Sequence, residues 1–132
     1  VPLLLQTGPA LGQIGVTEAA GQRLPRGATV LRAALMETEG ARALGQPEGA
    51  AKLIVDGSGT LLGGTVVGAG AAETVAALAL AMESGVRAGA LARLPLPEGS
   101  AAAALTALGR QWLGTRTAPR WSVRRALRRL LP

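Results

Sequence analysis

Two apolar runs separated by Asp56-Gly57-Ser58-Gly59 constrain this chain more than any other stretch. Lys52-Leu53-Ile54-Val55 precedes the break, and a run from Thr60 through Gly68 follows it. Both are rich in strand-forming residues, and Asp and Gly supply the turn conformations that other residues resist. The pattern predicts a hairpin. Gly63 and Gly64, inside the second run, predict a bulge or the close approach of another backbone. From Ala71 the apolar period changes to that of a helix. Val75, Leu78, Ala79 and Met82 fall on one face, and the helix is expected to end near Gly85.

The flanking segments extend this order. Val1–Gln6 is short and apolar, Thr7-Gly8-Pro9 turns the chain, and Leu11, Ile14 and Val16 resume a strand. Thr17 reads as an N-cap for a short helix over Glu18–Leu24, which Pro25 stops. Residues 28–36 read as another strand. After the long helix come a short helical piece over Ala88–Leu94, an extended stretch at Pro95 and Pro97, and a helix that Ser100 caps and that runs to about Trp112. Gly114 to Pro119 is a cluster of breakers, and Pro119 opens a last helix to Leu131. Strands first and helices afterwards predict an α+β fold, an antiparallel β-sheet with helices packed on one face, plus a C-terminal basic amphipathic helix.

Composition narrows the chemistry. The chain has 132 residues, 48% of them hydrophobic, with no Cys and no His. That length builds one core, and the missing residue types exclude disulfides, thiolate chemistry and imidazole-based catalysis. A carboxylate enzyme needs an acidic pair at sensible spacing, and only Glu37 and Glu39 come near it. No uncharged run is long enough to span a membrane. The chain opens on Val1, which reads as a processed product or a piece of something longer. Charge is uneven. Residues 1–109 carry seven basic and eight acidic side chains, whereas residues 110–132 carry seven arginines and no acid. The division expected is therefore residues 1–112 as a body and residues 113–132 as an Arg-rich extension.

The order of short motifs is similar to that of a known family. Thr7-x-Pro9 with Gly15-Val16-Thr17-Glu18-Ala19, Arg42-Ala43, Gly49-x2-Lys52-Leu53-Ile54-Val55-Asp56, Leu62-Gly63 and Val67-Gly68-x2-Ala71-x-Glu73 follow one another in register. Together they resemble the C-terminal dimerisation domain of the flavin-dependent pyridine nucleotide–disulfide oxidoreductases, which include glutathione reductase, dihydrolipoamide dehydrogenase and mercuric reductase. The resemblance covers about residues 1–112. It implies a two-fold homodimer as partner, a parent enzyme using FAD and NAD(P), and a cytoplasmic location. No GxGxxG follows a strand, since the glycine run from Gly63-Gly64 to Gly68-x-Gly70, taken as a whole, has the wrong spacing.

The same resemblance implies site residues. The family places a His-Pro or Tyr-Pro segment against the partner subunit's flavin, with a Glu orienting the His. Here the segment is Leu94-Pro95-Leu96-Pro97-Glu98-Gly99-Ser100-Ala101. Leu96 stands at the His/Tyr position and Ala101 at the Glu position. An aliphatic side chain has no exchangeable proton, so the usual acid–base role has no carrier there. No catalytic residue and no metal site is therefore expected in this chain. The expected interface comprises Glu73, Ala76, Ala77, Leu80, Leu96, Pro97 and Glu98. Ala76, Ala77 and Leu80 extend the apolar surface of the long helix beyond its core stripe, and such a helix must be covered on all sides.

On a helical wheel Val123, Ala126, Leu127, Leu130 and Leu131 share one arc, and Arg120, Arg124, Arg125, Arg128 and Arg129 fill most of the rest, with Trp121 among them. Such a segment docks on its own domain or dimer partner, stays solvated, or lies on an anionic membrane surface; nucleic acid is the less favoured partner. Two functions follow. The first is a homodimerisation domain of a flavin-dependent oxidoreductase, non-catalytic by itself. The alternative is a stand-alone adaptor whose basic tail binds an anionic membrane or another acidic partner, placing it at the membrane periphery.

Overall fold

A computed structural model describes residues 2–5, 10–18, 23–34, 49–96 and 102–117. Five strands, β1 (Leu3–Leu5), β2 (Leu11–Gly15), β3 (Thr29–Ala34), β4 (Ala50–Val55) and β5 (Leu61–Val67), precede three helices, α1 (Ala71–Glu83), α2 (Ala88–Leu91) and α3 (Ala103–Thr117). The strands form one antiparallel sheet in the order β1-β2-β5-β4-β3. This is the α+β architecture that the order of elements predicts.

Strand alternation decides which side is covered. Leu31, Ala51, Leu53, Val55 and Val66 point to the side where Val75 and Leu78 of α1 and Leu105 and Leu108 of α3 close the core. α1 lies over β2 and β5, and α3 over β3 and β4, with α2 against α3. Apolar burial of this kind contributes roughly 25 cal/mol per Å² removed from water. On the other side of the sheet, Arg32 and Lys52 sit directly opposite each other on β3 and β4.

The hairpin turn is built around Asp56. Its Oδ1 accepts hydrogen bonds from the Ser58 N–H at 2.8 Å, the Ser58 hydroxyl at 2.7 Å and the Thr60 N–H at 2.9 Å. These bonds hold the Asp56 carboxyl below the ordinary aspartate value of 3.8, that from the Ser58 hydroxyl most. The register shifts between Ile54 and Val55, opposite Gly63 and Leu61. The two glycines of β5 serve close approach as well: Val16 of the incoming chain lies against Gly63, and Leu78 of α1 against Gly64. The register shift beside Gly63 and the backbone against it meet the sequence expectation, whereas the nearest neighbour of Gly64 is a side chain.

α1 ends as a Schellman turn. Gly85 takes φ +72°, its N–H reaches the Met82 carbonyl at 3.2 Å, and the Val86 N–H reaches the Ala81 carbonyl at 2.9 Å. Two carbonyls that the helix would otherwise leave unpaired are thereby satisfied.

Four expectations need correction. Glu18, Arg23 and Leu24 are not helical, and residues 19–22 lie outside the described part. The second helix is shorter than 88–94, ending at Leu91 before a turn. The strand before the hairpin turn starts at Ala50, two residues before the run that the sequence marks, so Lys52 lies inside β4 and not at its end. The third helix passes through Gly114 and continues to Thr117. Its extension is held by packing: the Trp112 ring lies against Gly59 of the hairpin and Gly89 of α2, and Arg116 stacks 5.0 Å from the ring centroid. Tertiary contact of this kind outweighs the ~1 kcal/mol that a glycine costs inside a helix. The Arg42-Ala43 pair, the Ser100 cap and the helix expected over 119–131 lie outside the described residues.

Candidate dimer interface

α1 is the element that carries the expected interface, and its four faces differ in burial. Ala71, Thr74, Val75, Leu78 and Ala81 are buried. Ala79 and Met82, expected in the core stripe, are only half-buried, and Thr74 and Ala81 replace them. A threonine fits there because its hydroxyl donates to the Gly70 carbonyl at 2.8 Å, one helical turn back, which satisfies a polar group that burial would otherwise penalise. Opposite the buried arc stand Glu73, Ala76, Leu80 and Glu83, all exposed. Leu80 is 70% exposed, more than any other large hydrophobic among the described residues.

The structure thus brings Glu73, Ala76 and Leu80 onto one outward face, with successive offsets of three and four residues. Ala77 does not share it fully; it is half-buried and packs against the core. Leu96 is half-buried at the end of the stretch after α2, its N–H donating to the Leu94 carbonyl at 2.9 Å. Pro97, Glu98 and Ala101, and Arg120, Arg124, Arg125, Arg128 and Arg129, lie outside the described residues.

A polar cluster on the far side of the sheet went unread in the sequence. Glu18 accepts from Lys52 Nζ at 2.6 Å, and both of its oxygens accept from Arg32 Nη2 at 3.1 Å. Two cations opposite one another on neighbouring strands repel, and a carboxylate between them offsets that repulsion. Glu18 is held below the ordinary glutamate value of 4.5, chiefly by the Lys52 hydrogen bond and also by the Arg32 charge. A depressed folded-state value means that the pair stabilises the fold above the unfolded value and ceases to do so as pH falls through the folded one. Glu18→Gln is therefore expected to flatten the acid side of the stability profile. Thermal unfolding followed from about pH 7 to about pH 3 reads this directly, and a profile identical to that of the parent chain would show that the pairing contributes nothing.

Gln111 of α3 seals the edge strand beside this cluster. Its Oε1 accepts from the Arg32 N–H at 3.0 Å, and its Nε2 donates to the Arg32 carbonyl at 3.1 Å. The side-chain amide thereby occupies backbone groups of β3 that a further strand would otherwise use.

The passage from β5 into α1 is the part of the described structure nearest in form to a nucleotide-phosphate turn. It reads Gly68-Ala69-Gly70-Ala71-Ala72-Glu73, so Glu73 stands where the dinucleotide fingerprint has its third glycine. The Glu73 carboxylate lies in the first turn of α1, where it favours the helix N-terminus and opposes a phosphate. These residues do not fit the pyrophosphate of FAD or NAD(P). Among the described residues no group of three potential metal-binding side chains occurs, and no helix is long and apolar enough to cross a membrane.

Comparison with known proteins accords with this architecture. A dihydrolipoyl dehydrogenase from Chlorobaculum tepidum is 35% identical over 92 residues, which are 69% of this chain and 20% of that protein. The Cu(II) complex of RclA, an HOCl-induced flavoprotein disulfide reductase from Escherichia coli, superposes with a TM-score of 0.77 at 21% identity, over 84% of this chain and 25% of that one. LpdA from Mycobacterium tuberculosis gives a TM-score of 0.73 at 21% identity, over 85% of this chain and 25% of that one. The chain therefore spans between a fifth and a quarter of these relatives. The family model for the pyridine nucleotide–disulphide oxidoreductase dimerisation domain matches residues 1–106, and the chain belongs to that family.

Proposed function

We propose that this chain is the homodimerisation domain of a flavin-dependent pyridine nucleotide–disulfide oxidoreductase, and that the outer face of α1 is where two copies meet. The observation that carries the reading is Leu80, 70% exposed between Ala76 and Glu83 on the outward face of a helix whose opposite arc closes the core. A leucine so placed loses little when the domain folds alone and gains when a second apolar face covers it. Glu73 and Ala76 continue that face, Ala77 supports it from beneath, and the Leu96–Pro97–Glu98 segment forms the second part of the interface.

In this reading the domain contributes shape rather than chemistry. Leu96 and Ala101 offer no proton at the positions where the family has its His or Tyr and its Glu, so the parent enzyme does not draw its acid–base group from this segment. FAD and NAD(P) belong to other domains of the parent. The division into a body over residues 1–112 and an Arg-rich extension over residues 113–132 is one of composition, since α3 itself runs across it to Thr117.

Sedimentation equilibrium tests the reading. A reversible dimer is expected at micromolar protein, with the dimer fraction falling on dilution. A monomer across the whole accessible range overturns it.

A further inference from the structure

Among the described residues the sheet ends at β1 on one side and at β3 on the other. Each end of a sheet offers unpaired N–H and C=O groups to any strand that approaches it. β1 is three residues long and follows Pro2, which has no N–H to give, and both properties discourage pairing. β3 is six residues long, Thr29-Val30-Leu31-Arg32-Ala33-Ala34, and carries one charge. A cation is a common guard of such an edge, yet the Arg32 guanidinium is engaged by the Glu18 carboxylate at 3.1 Å. The long edge of the sheet therefore needs another guard.

Backbone groups that face away from β4 recur at every second residue of β3, so a strand added there would bond to Val30, Arg32 and Ala34. Arg32 is the middle one. Gln111 takes both of its groups, accepting from the N–H at 3.0 Å and donating to the C=O at 3.1 Å, as one residue of an added strand would. Gln111 is itself exposed, so burial does not hold its amide in place. The helix does. Leu108, nearly a turn back, is buried in the core, and Trp112 packs against Gly59 and Gly89, which fixes the turn of α3 that carries Gln111.

We propose that Gln111 guards this edge and so confines self-association to a single face of the molecule. The partner it excludes is a second copy of this chain, whose own Thr29–Ala34 strand would pair antiparallel with β3 across a two-fold axis. A protein with one self-complementary face closes as a dimer, whereas a second adhesive edge lets each dimer add further copies without closing. The guard goes beyond the α1 contact and does not rest on it.

Gln111→Ala and Gln111→Met test this by sedimentation velocity over a range of concentrations, with amide exchange at Arg32 as the second readout. Alanine opens the edge fully; methionine keeps the length and helix propensity of glutamine and removes its hydrogen-bonding groups. In both, the weight-average mass is expected to rise with concentration to about twice that of the unsubstituted chain or more. The Arg32 N–H is expected to exchange fast in dilute variant and slowly again in the larger species. In a Leu80→Arg background the same changes are expected to turn a monomer into a dimer. An unchanged mass over the whole range, with the Arg32 amide exchanging fast, overturns the proposal, because the edge is then open and unused. An Arg32 amide that stays slow in dilute variant overturns it as well, because something other than Gln111 covers it. If Leu80→Arg alone leaves the mass unchanged while Gln111→Ala raises it, the α1 contact fails and the guard stands.

Discussion

Gly63→Ala is expected to destabilise the domain by about 3 kcal/mol, an overpacking penalty at the upper end of the usual range. The reason is the identity of the atoms it meets. A β-carbon on Gly63 would overlap the Val16 carbonyl oxygen and stand 2.5 Å from the Val16 nitrogen and 2.9 Å from the Ile14 oxygen. All three belong to backbone, so no rotamer change relieves the contact. The Val16 N–H is itself bonded to the Leu62 carbonyl at 3.0 Å, which ties the crossing chain to β5. Moving it also pulls Glu18, two residues on, away from Lys52 and Arg32. Two readouts therefore change together: the melting temperature falls by roughly 10 °C or more, and the acid-side dependence attributed to Glu18 weakens. Gly57→Ala serves as the comparison, because its nearest neighbour is Arg116 Nη2 at 3.8 Å, an ordinary contact. If Gly63→Ala and Gly57→Ala melt alike, Val16 does not cross β5 as described.

That pairing of a glycine with a distant backbone shows where sequence reading succeeds and where it stops. The hairpin was legible because Asp56, Gly57, Ser58 and Gly59 act on their immediate neighbours. α1 was legible because its period is local, and Leu80 stood out as a leucine on the wrong side of the wheel. What failed was everything that register decides. Glu18 looked like a helix-start carboxylate because its partners, Arg32 and Lys52, lie 14 and 34 residues away and meet it only when β3 pairs with β4. Gln111 carries no signal in the sequence, and only the packing of α3 beside β3 turns its amide into an edge seal. Thr74 looked polar and was left out of the core, since nothing local announces that its hydroxyl bonds back to Gly70. Gly114 looked like a stop because helix propensity is read residue by residue, whereas Trp112 is held by two other elements. The motifs that resemble the dimerisation family sit mostly where backbone geometry is demanding, at Gly63, Gly68 and Asp56. Short motifs therefore carried the family while leaving the burial pattern of α1 to be found in the structure.

Leu80→Arg is the change expected to act most strongly on assembly while leaving the protomer intact. Leucine and arginine have similar helix propensity, and a side chain 70% exposed makes few contacts for the fold to lose, so the isolated protomer should change by no more than about 0.5 kcal/mol. Across a two-fold interface the same substitution appears on both sides. Each copy loses an apolar anchor and gains a cation facing its own image, or a cation that must be desolvated against Ala76. Loss of a central anchor is worth about 2 kcal/mol or more, roughly a 30-fold rise in the dimer dissociation constant before the repulsion is added. Sedimentation should then show a monomer at concentrations where the parent chain is dimeric, with an unchanged far-ultraviolet circular dichroism spectrum. Arg26→Glu, an exposed change in the turn before β3, should leave the dimer in place. A parent chain that dimerises and is indifferent to Leu80→Arg would move the contact off α1. The Leu96–Pro97–Glu98 segment would then be the next place to substitute, because it is the other part of the interface that the family resemblance implies.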